Sequence, residues 1–143
     1  MEKNKFPCGL EVQLFWGEKW RFRKLIKPFV YKMSGMARSI NVPAGFVTDF
    51  ASVPRLLWAL LPPWEDYGAA AVIHDFLYSN KKQKYVPNPD DPEKIIKITR
   101  KVADKIFLRA MKDCSVGFFR RWAVYSAVRA FGWASYEERS KHV

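Results

Sequence analysis

Residues 45–63, GFVTDFASVPRLLWALLPP, contain the change of period that decides the fold class. Up to Asp49 the chain alternates in polarity. After it, Ser52 can cap a helix, Pro54 is tolerated in a first turn, and RLLWALL follows before Pro62 and Pro63 stop it. Working back toward the N-terminus, EVQLFW (11–16), WRFRKLIKPFVYK (20–32), ARSINVP (37–43) and GFVTDF (45–50) are rich in aromatic and β-branched residues. They read as short strands. Gly17, Ser34-Gly35 and Ala44-Gly45 supply turns between them, and Pro28 marks an edge strand or a break.

Working forward, three further helices are expected. One runs from about Asp66 to Ser79, with Ala70, Ile73 and Leu77 on an apolar stripe, and carries the adjacent pair His74-Asp75. Residues 80–92 include Pro87, Pro89 and Pro92 and read as a surface loop ending in a helix start at Asp91-Pro92. The helix that follows, to about Asp113, presents Ala103, Phe107, Ala110 and Cys114 at helical spacing. Ile106 widens that stripe, and Asp104 sits at its margin, near the core boundary. A last helix, from about Phe118 to Gly132, is amphipathic through Phe119, Trp122, Tyr125 and Val128. The expectation is an α+β fold in a single domain, a small N-terminal antiparallel β-sheet or hairpins followed by a three- to four-helix bundle. Its β-rich part covers 10–50, its helical part 52–133 and a charged tail 134–143.

A hydrophobic share of 49% with six Trp excludes a disordered or low-complexity chain, and 143 residues suit one core. No apolar run approaches the roughly 20 residues that cross a bilayer. The opening MEKNKFPCGLEV has no continuous apolar region followed by a small-residue cleavage site, so residence in a cytoplasm is expected. Cys8 and Cys114 are too few for a disulfide framework and lack the paired spacing of a zinc site. The formal charge of +11 would attract phosphate, on nucleic acid or on anionic lipid, although a solvated basic surface accounts for it equally well.

The chemistry centres on AAAVIHDFLY (69–78). His74 and Tyr78 share one helix face, while Asp75 is rotated from His74 by roughly 100°. A His whose second nitrogen meets an acid can serve as a general base of defined tautomer, and Asp104 is the candidate acid. Asp75, with Asp49 from the preceding loop, could instead hold a divalent cation (calcium, magnesium or zinc) that polarises a carbonyl or phosphoryl oxygen. The plainer alternative is a structural hydrogen-bond pair, with Asp49 capping the helix beside Thr48 and Ser52. What singles out Asp49, Asp75 and Asp104 is that each lies beside apolar sequence, where a carboxylate needs a partner.

The runs VPAGFVTDFASVP (42–54), PPWEDYGAAAVIHDFLY (62–78) and VADKIFLRAM (102–111), in this order, closely resemble a bacteriophage and prophage family, domain of unknown function 1353. That resemblance implies a phage or prophage origin, with host cytoplasm or virion as the location, and brings no activity. Locally, HDFLY also looks like the HD-two-residues-Tyr helix of phospholipase A2, and Ala103-Asp104 looks like that family's second-helix Asp. The likeness implies His74 as the water-activating base, Asp104 as the acid orienting it, Tyr78 as a hydrogen-bond support and Asp75 as a calcium ligand. The chain departs from that pattern in having GFVTDFASVP where the phospholipases have a glycine-rich calcium loop.

Three functions follow from these residues. One is a metal-assisted hydrolase of an ester, amide or phosphodiester. Another is a non-enzymatic virion, tail-assembly or host-interaction protein, partnered by a phage structural or host protein, in which His74, Asp75 and Asp104 form a structural network. The third is a nucleic-acid-binding module driven by charge alone.

Overall fold

The computed structural model describes residues 12–14, 23–32, 39–48, 64–79, 85–91 and 93–132. Asp49, the short helix expected after Ser52 and the charged tail lie outside the described residues. The architecture is α+β, with short antiparallel strands on the N-terminal side followed by three helices.

Strands β1 (Val12–Leu14), β2 (Arg23–Leu25) and β5 (Val47–Thr48) form a three-stranded sheet in the order β1-β2-β5. Strands β3 (Phe29–Tyr31) and β4 (Ile40–Val42) form a separate antiparallel pair, with Phe29 opposite Val42 and Tyr31 opposite Ile40. The chain leaves β2 and enters β3 through a bend ending at Pro28, which has no N–H to continue a ladder. Alternation places Phe29, Tyr31, Ile40 and Val42 in the core. Pro43 to Phe46 turn the chain from β4 into β5, with Phe46 N donating to Pro43 O at 3.3 Å and Gly45 at φ +85°. That conformation suits glycine, and it aims the Gly45 N–H at Leu25 O, 2.8 Å away, locking the turn onto the end of β2.

Helix α1 (Trp64–Ser79) packs on α2 (Arg100–Asp113) and touches β4 and β5. The stripe read from the sequence understates it, because every residue from Ala70 to Tyr78 is buried. A helix apolar on nearly all sides belongs in the middle of a fold. Ala69, Ala70 and Ala71 leave its neighbours room to approach, and His74 and Asp75 are carried inside with the rest.

The start of α2 differs from the expectation. The helix does not open at Asp91, which lies instead in the turn of a hairpin between β6 (Tyr85–Pro87) and β7 (Ile95–Lys97), where Asn88 N donates to Lys94 O and Lys94 N to Asp91 O. The β-branched run Ile95-Ile96 favours a strand, and the helix begins only after Thr99, whose hydroxyl accepts from Val102 N at 3.2 Å. At its other end Ser115 takes φ +64°, with Val116 N bonded to Met111 O and Ser115 N to Lys112 O, both at 3.0 Å. This is a Schellman stop, completed by the burial of Val116 and Met111.

Helix α3 (Phe118–Phe131) packs on α2 through Val124, Ala127 and Val128. Of the stripe Phe119, Trp122, Tyr125 and Val128, only Val128 is buried, and Phe119 and Trp122 face solvent. The helix has apolar residues on two faces, and the slimmer one, Val124, Ala127 and Val128, is the one that is buried. Among the described residues, no helix is long and apolar enough to cross a membrane.

The cap assignment is testable. Thr99→Ala should lower unfolding stability in urea by about 1 kcal/mol, whereas Asp91→Ala, at the helix start expected from sequence, should change it by less than about 0.5 kcal/mol.

Candidate functional site

Three elements converge on one carboxylate. Asp104, on α2, is fully buried, and its Oδ1 accepts from His74 Nε2 at 2.8 Å and from the Tyr78 hydroxyl, both on α1. Its Oδ2 accepts from Arg129 NH1 on α3 at 2.8 Å, with Arg100 NH1 3.8 Å away one turn earlier on α2. The spacing of His74 and Tyr78 by four residues is what lets one oxygen receive both donors. Asp104 lies deep in the core, not at its boundary as the sequence pattern suggests, because the helices close over it on both sides.

Burial pushes the Asp104 carboxyl up, but hydrogen bonds from His74, Tyr78 and Arg129 outweigh it and hold the group below the ordinary carboxylate range. The Tyr78 hydroxyl is pushed well above its usual value, first by burial and then by the Asp104 carboxylate that it donates to. Arg129 is raised chiefly by its hydrogen bond to Asp104. An ionised carboxylate only accepts, so Nε2 of His74 carries the proton and Nδ1 is left with the basic lone pair.

The imidazole packs against two aromatic rings as well. Its centroid lies 4.1 Å from that of Tyr78 and 4.5 Å from that of Phe107, and the side chain is 3% exposed, so a reactant can reach one edge at most. Ring orientation and tautomer are therefore both determined before anything binds. Such a ring can take a proton at Nδ1 while its developing charge is met by Asp104 at Nε2.

The structure thus brings together His74, Tyr78 and Asp104. Asp75 is buried beside them and partnered, while Asp49 lies outside the described residues. Among the described residues, no three His, Cys, Asp or Glu side chains group as metal ligands. Two arginines were missed by sequence reasoning. Arg100 stands four residues before Asp104 on the same helix, a spacing that could have flagged it. Arg129 comes from α3, and no local signal points to it. Arg100 also donates to Arg129 O at 3.1 Å and Val128 O at 3.4 Å, capping the end of α3.

Gly132 lets the end of α3 close over this cluster. A Cβ there would stand 2.5 Å from Val128 O and 3.0 Å from the Tyr78 hydroxyl.

The chain belongs to the family described as Protein of unknown function (DUF1353), whose model matches residues 23–128. The matched stretch contains His74, Asp75, Tyr78, Arg100 and Asp104 and stops immediately before Arg129. No curated protein and no solved structure matches the chain.

Two outcomes are expected from this geometry. Below the unfolded Asp value of about 4 the unfolded chain takes up the Asp104 proton more readily than the native one. The contribution of Asp104 to stability is therefore complete above that pH and is lost as pH falls through its depressed native value. Melting temperatures measured from neutral to strongly acidic pH should show this fall, and Asp104→Asn should melt lower at neutral pH with a shallower acid dependence. Gly132→Ala should cost about 1–3 kcal/mol in chemical denaturation, because the added methyl meets backbone.

Proposed function

We propose that this chain is a phage or prophage hydrolase in which His74 is the general base, oriented by Asp104 and supported by Tyr78. The observation that carries the reading is the buried His74 Nε2–Asp104 Oδ1 hydrogen bond of 2.8 Å, which leaves Nδ1 as the basic nitrogen. In the proposed step, Nδ1 takes a proton from water as the water oxygen bonds to the carbonyl carbon or phosphorus of an ester, amide or phosphodiester. The imidazolium then returns that proton to the leaving group as its bond breaks. Asp104 offsets the transient positive charge, and Arg129 and Arg100 keep Asp104 ionised throughout.

Asp75 and Asp49 offer the hard oxygen donors that a divalent cation takes, whereas both Asp104 oxygens are already occupied by donors. Such a cation, when bound, would supply polarisation of the oxygen of the group under attack.

One observation favours a second reading, a non-enzymatic virion, tail-assembly or host-interaction protein. Asp104 is fully buried and its partners come from α1, α2 and α3, so the same cluster would serve to hold three helices in register.

The two readings separate on His74→Ala. Hydrolysis of a panel containing a phospholipid, a simple carboxylic ester and a phosphodiester, each with calcium, magnesium or zinc, is expected to fall by about 10²–10⁴ with circular dichroism unchanged. Full activity in the variant would overturn the hydrolase reading. Absence of hydrolysis by the wild type, with a variant destabilised by about 1–3 kcal/mol, would favour the structural one.

A further inference from the structure

The N-terminal half of α3 turns its largest apolar side chains away from the core. Phe118 is 57% exposed, Phe119 86% and Trp122 42%. They are not scattered: the Phe118 ring centroid lies 5.6 Å from Phe119 and 6.1 Å from Trp122, and Trp122 lies 5.5 Å from Tyr125. The opposite face of the helix, Val124, Ala127 and Val128, is already buried against the rest of the fold. Phe118, Phe119 and Trp122 are therefore a surface feature, joined to the core side of the helix through the partly buried Tyr125.

Beside it opens a groove of about 380 Å³ whose walls include Lys105, Arg109, Lys112 and Arg121. Among the described residues, Asp90 is the acid in that lining, and it is taken by Lys105 at 2.7 Å. Among the described residues of that lining, Arg109, Lys112 and Arg121 thus remain in excess over the acids. Arg121 also places its guanidinium 5.2 Å from the centre of the Phe118 ring, tying the charged and aromatic parts into one patch.

Protruding aromatic side chains beside an excess of cations match the interface of an anionic bilayer. Phe and Trp enter the boundary between headgroups and acyl chains, and Lys and Arg meet lipid phosphates. A nucleic acid would use the same cations but would need open ring faces on which bases stack. Here Phe118 and Phe119, and Trp122 and Tyr125, meet edge to face at 87°, and Arg121 lies over Phe118. The rings form a knob, not a row of platforms.

We infer that this patch docks the protein on an anionic lipid surface. The docking is independent of any chemistry at His74, and so is its test. The full chain is floated with vesicles of phosphatidylcholine and phosphatidylserine in equal parts, and with vesicles of phosphatidylcholine alone. Preferential binding to the anionic vesicles is expected. Phe119→Ala should weaken it about tenfold and Lys112→Glu by a similar factor, both with unchanged melting temperature. Phe131→Ala, 62% exposed at the far end of α3, should bind as the wild type does. Equal binding to both vesicle types, no vesicle binding, or binding indifferent to Phe119→Ala would overturn the inference. Binding of single-stranded DNA that Phe119→Ala abolishes, without vesicle binding, would assign the patch to nucleic acid instead.

Discussion

A carboxylate excluded from water is tolerated only where donors surround it. Asp104 meets that condition with donors from two other helices, His74 and Tyr78 from α1 and Arg129 from α3, and with the charge of Arg100 3.8 Å away on its own helix. Removing any one partner leaves a buried charge less well compensated. The cluster therefore constrains rotation and axial position for α1 and α3 against α2 more tightly than apolar packing can, since hydrophobic contacts are non-directional. Smaller features serve the same closure. The alanines of α1 and α2 allow close approach, the Schellman stop at Ser115 turns the chain back into α3, and Gly132 leaves space above the Tyr78 hydroxyl.

The same constraint gives His74 its chemical character. A ring packed against two aromatic neighbours and held on one edge by a carboxylate has no rotamer or tautomer to choose. This is the preorganisation a general base needs, and equally what a rigid polar core looks like. The two readings share one geometry and differ in whether the Nδ1 edge meets a reactant. Asp75, adjacent in sequence and buried, is turned to a different side of α1 from the His74–Tyr78 face, so a role for it at a cation does not compete with the Asp104 cluster.

Helix α3 shows how charge and hydrophobicity divide between interior and surface. Its slim apolar face is spent on the core, and its bulky aromatic face, flanked by Arg121 and by lysines and arginines of α2, is left to solvent. Large exposed aromatic patches on a folded protein mark interaction surfaces more often than packing faults. The overall charge of +11 acquires a location in this way, at least in part, beside the aromatic cluster.

The α+β class, the strand-rich first third, the extent of α1 and the pairing of His74 with Tyr78 on one face were legible in the sequence, because local periodicity and turn chemistry determine them. The start of α2 was misread at Asp91-Pro92 because a plausible cap there competed with the β-branched run Ile95-Ile96, and only the hairpin partner β6 settled which prevailed. The face of α3 that is buried, the depth of Asp104 and the part played by Arg129 were decided by the tertiary structure alone. Each depends on how close two helices come and which side chains meet across the gap, quantities set by packing between residues distant in sequence. Local pattern can nominate a carboxylate such as Asp104; only the assembled helices determine which donors surround it.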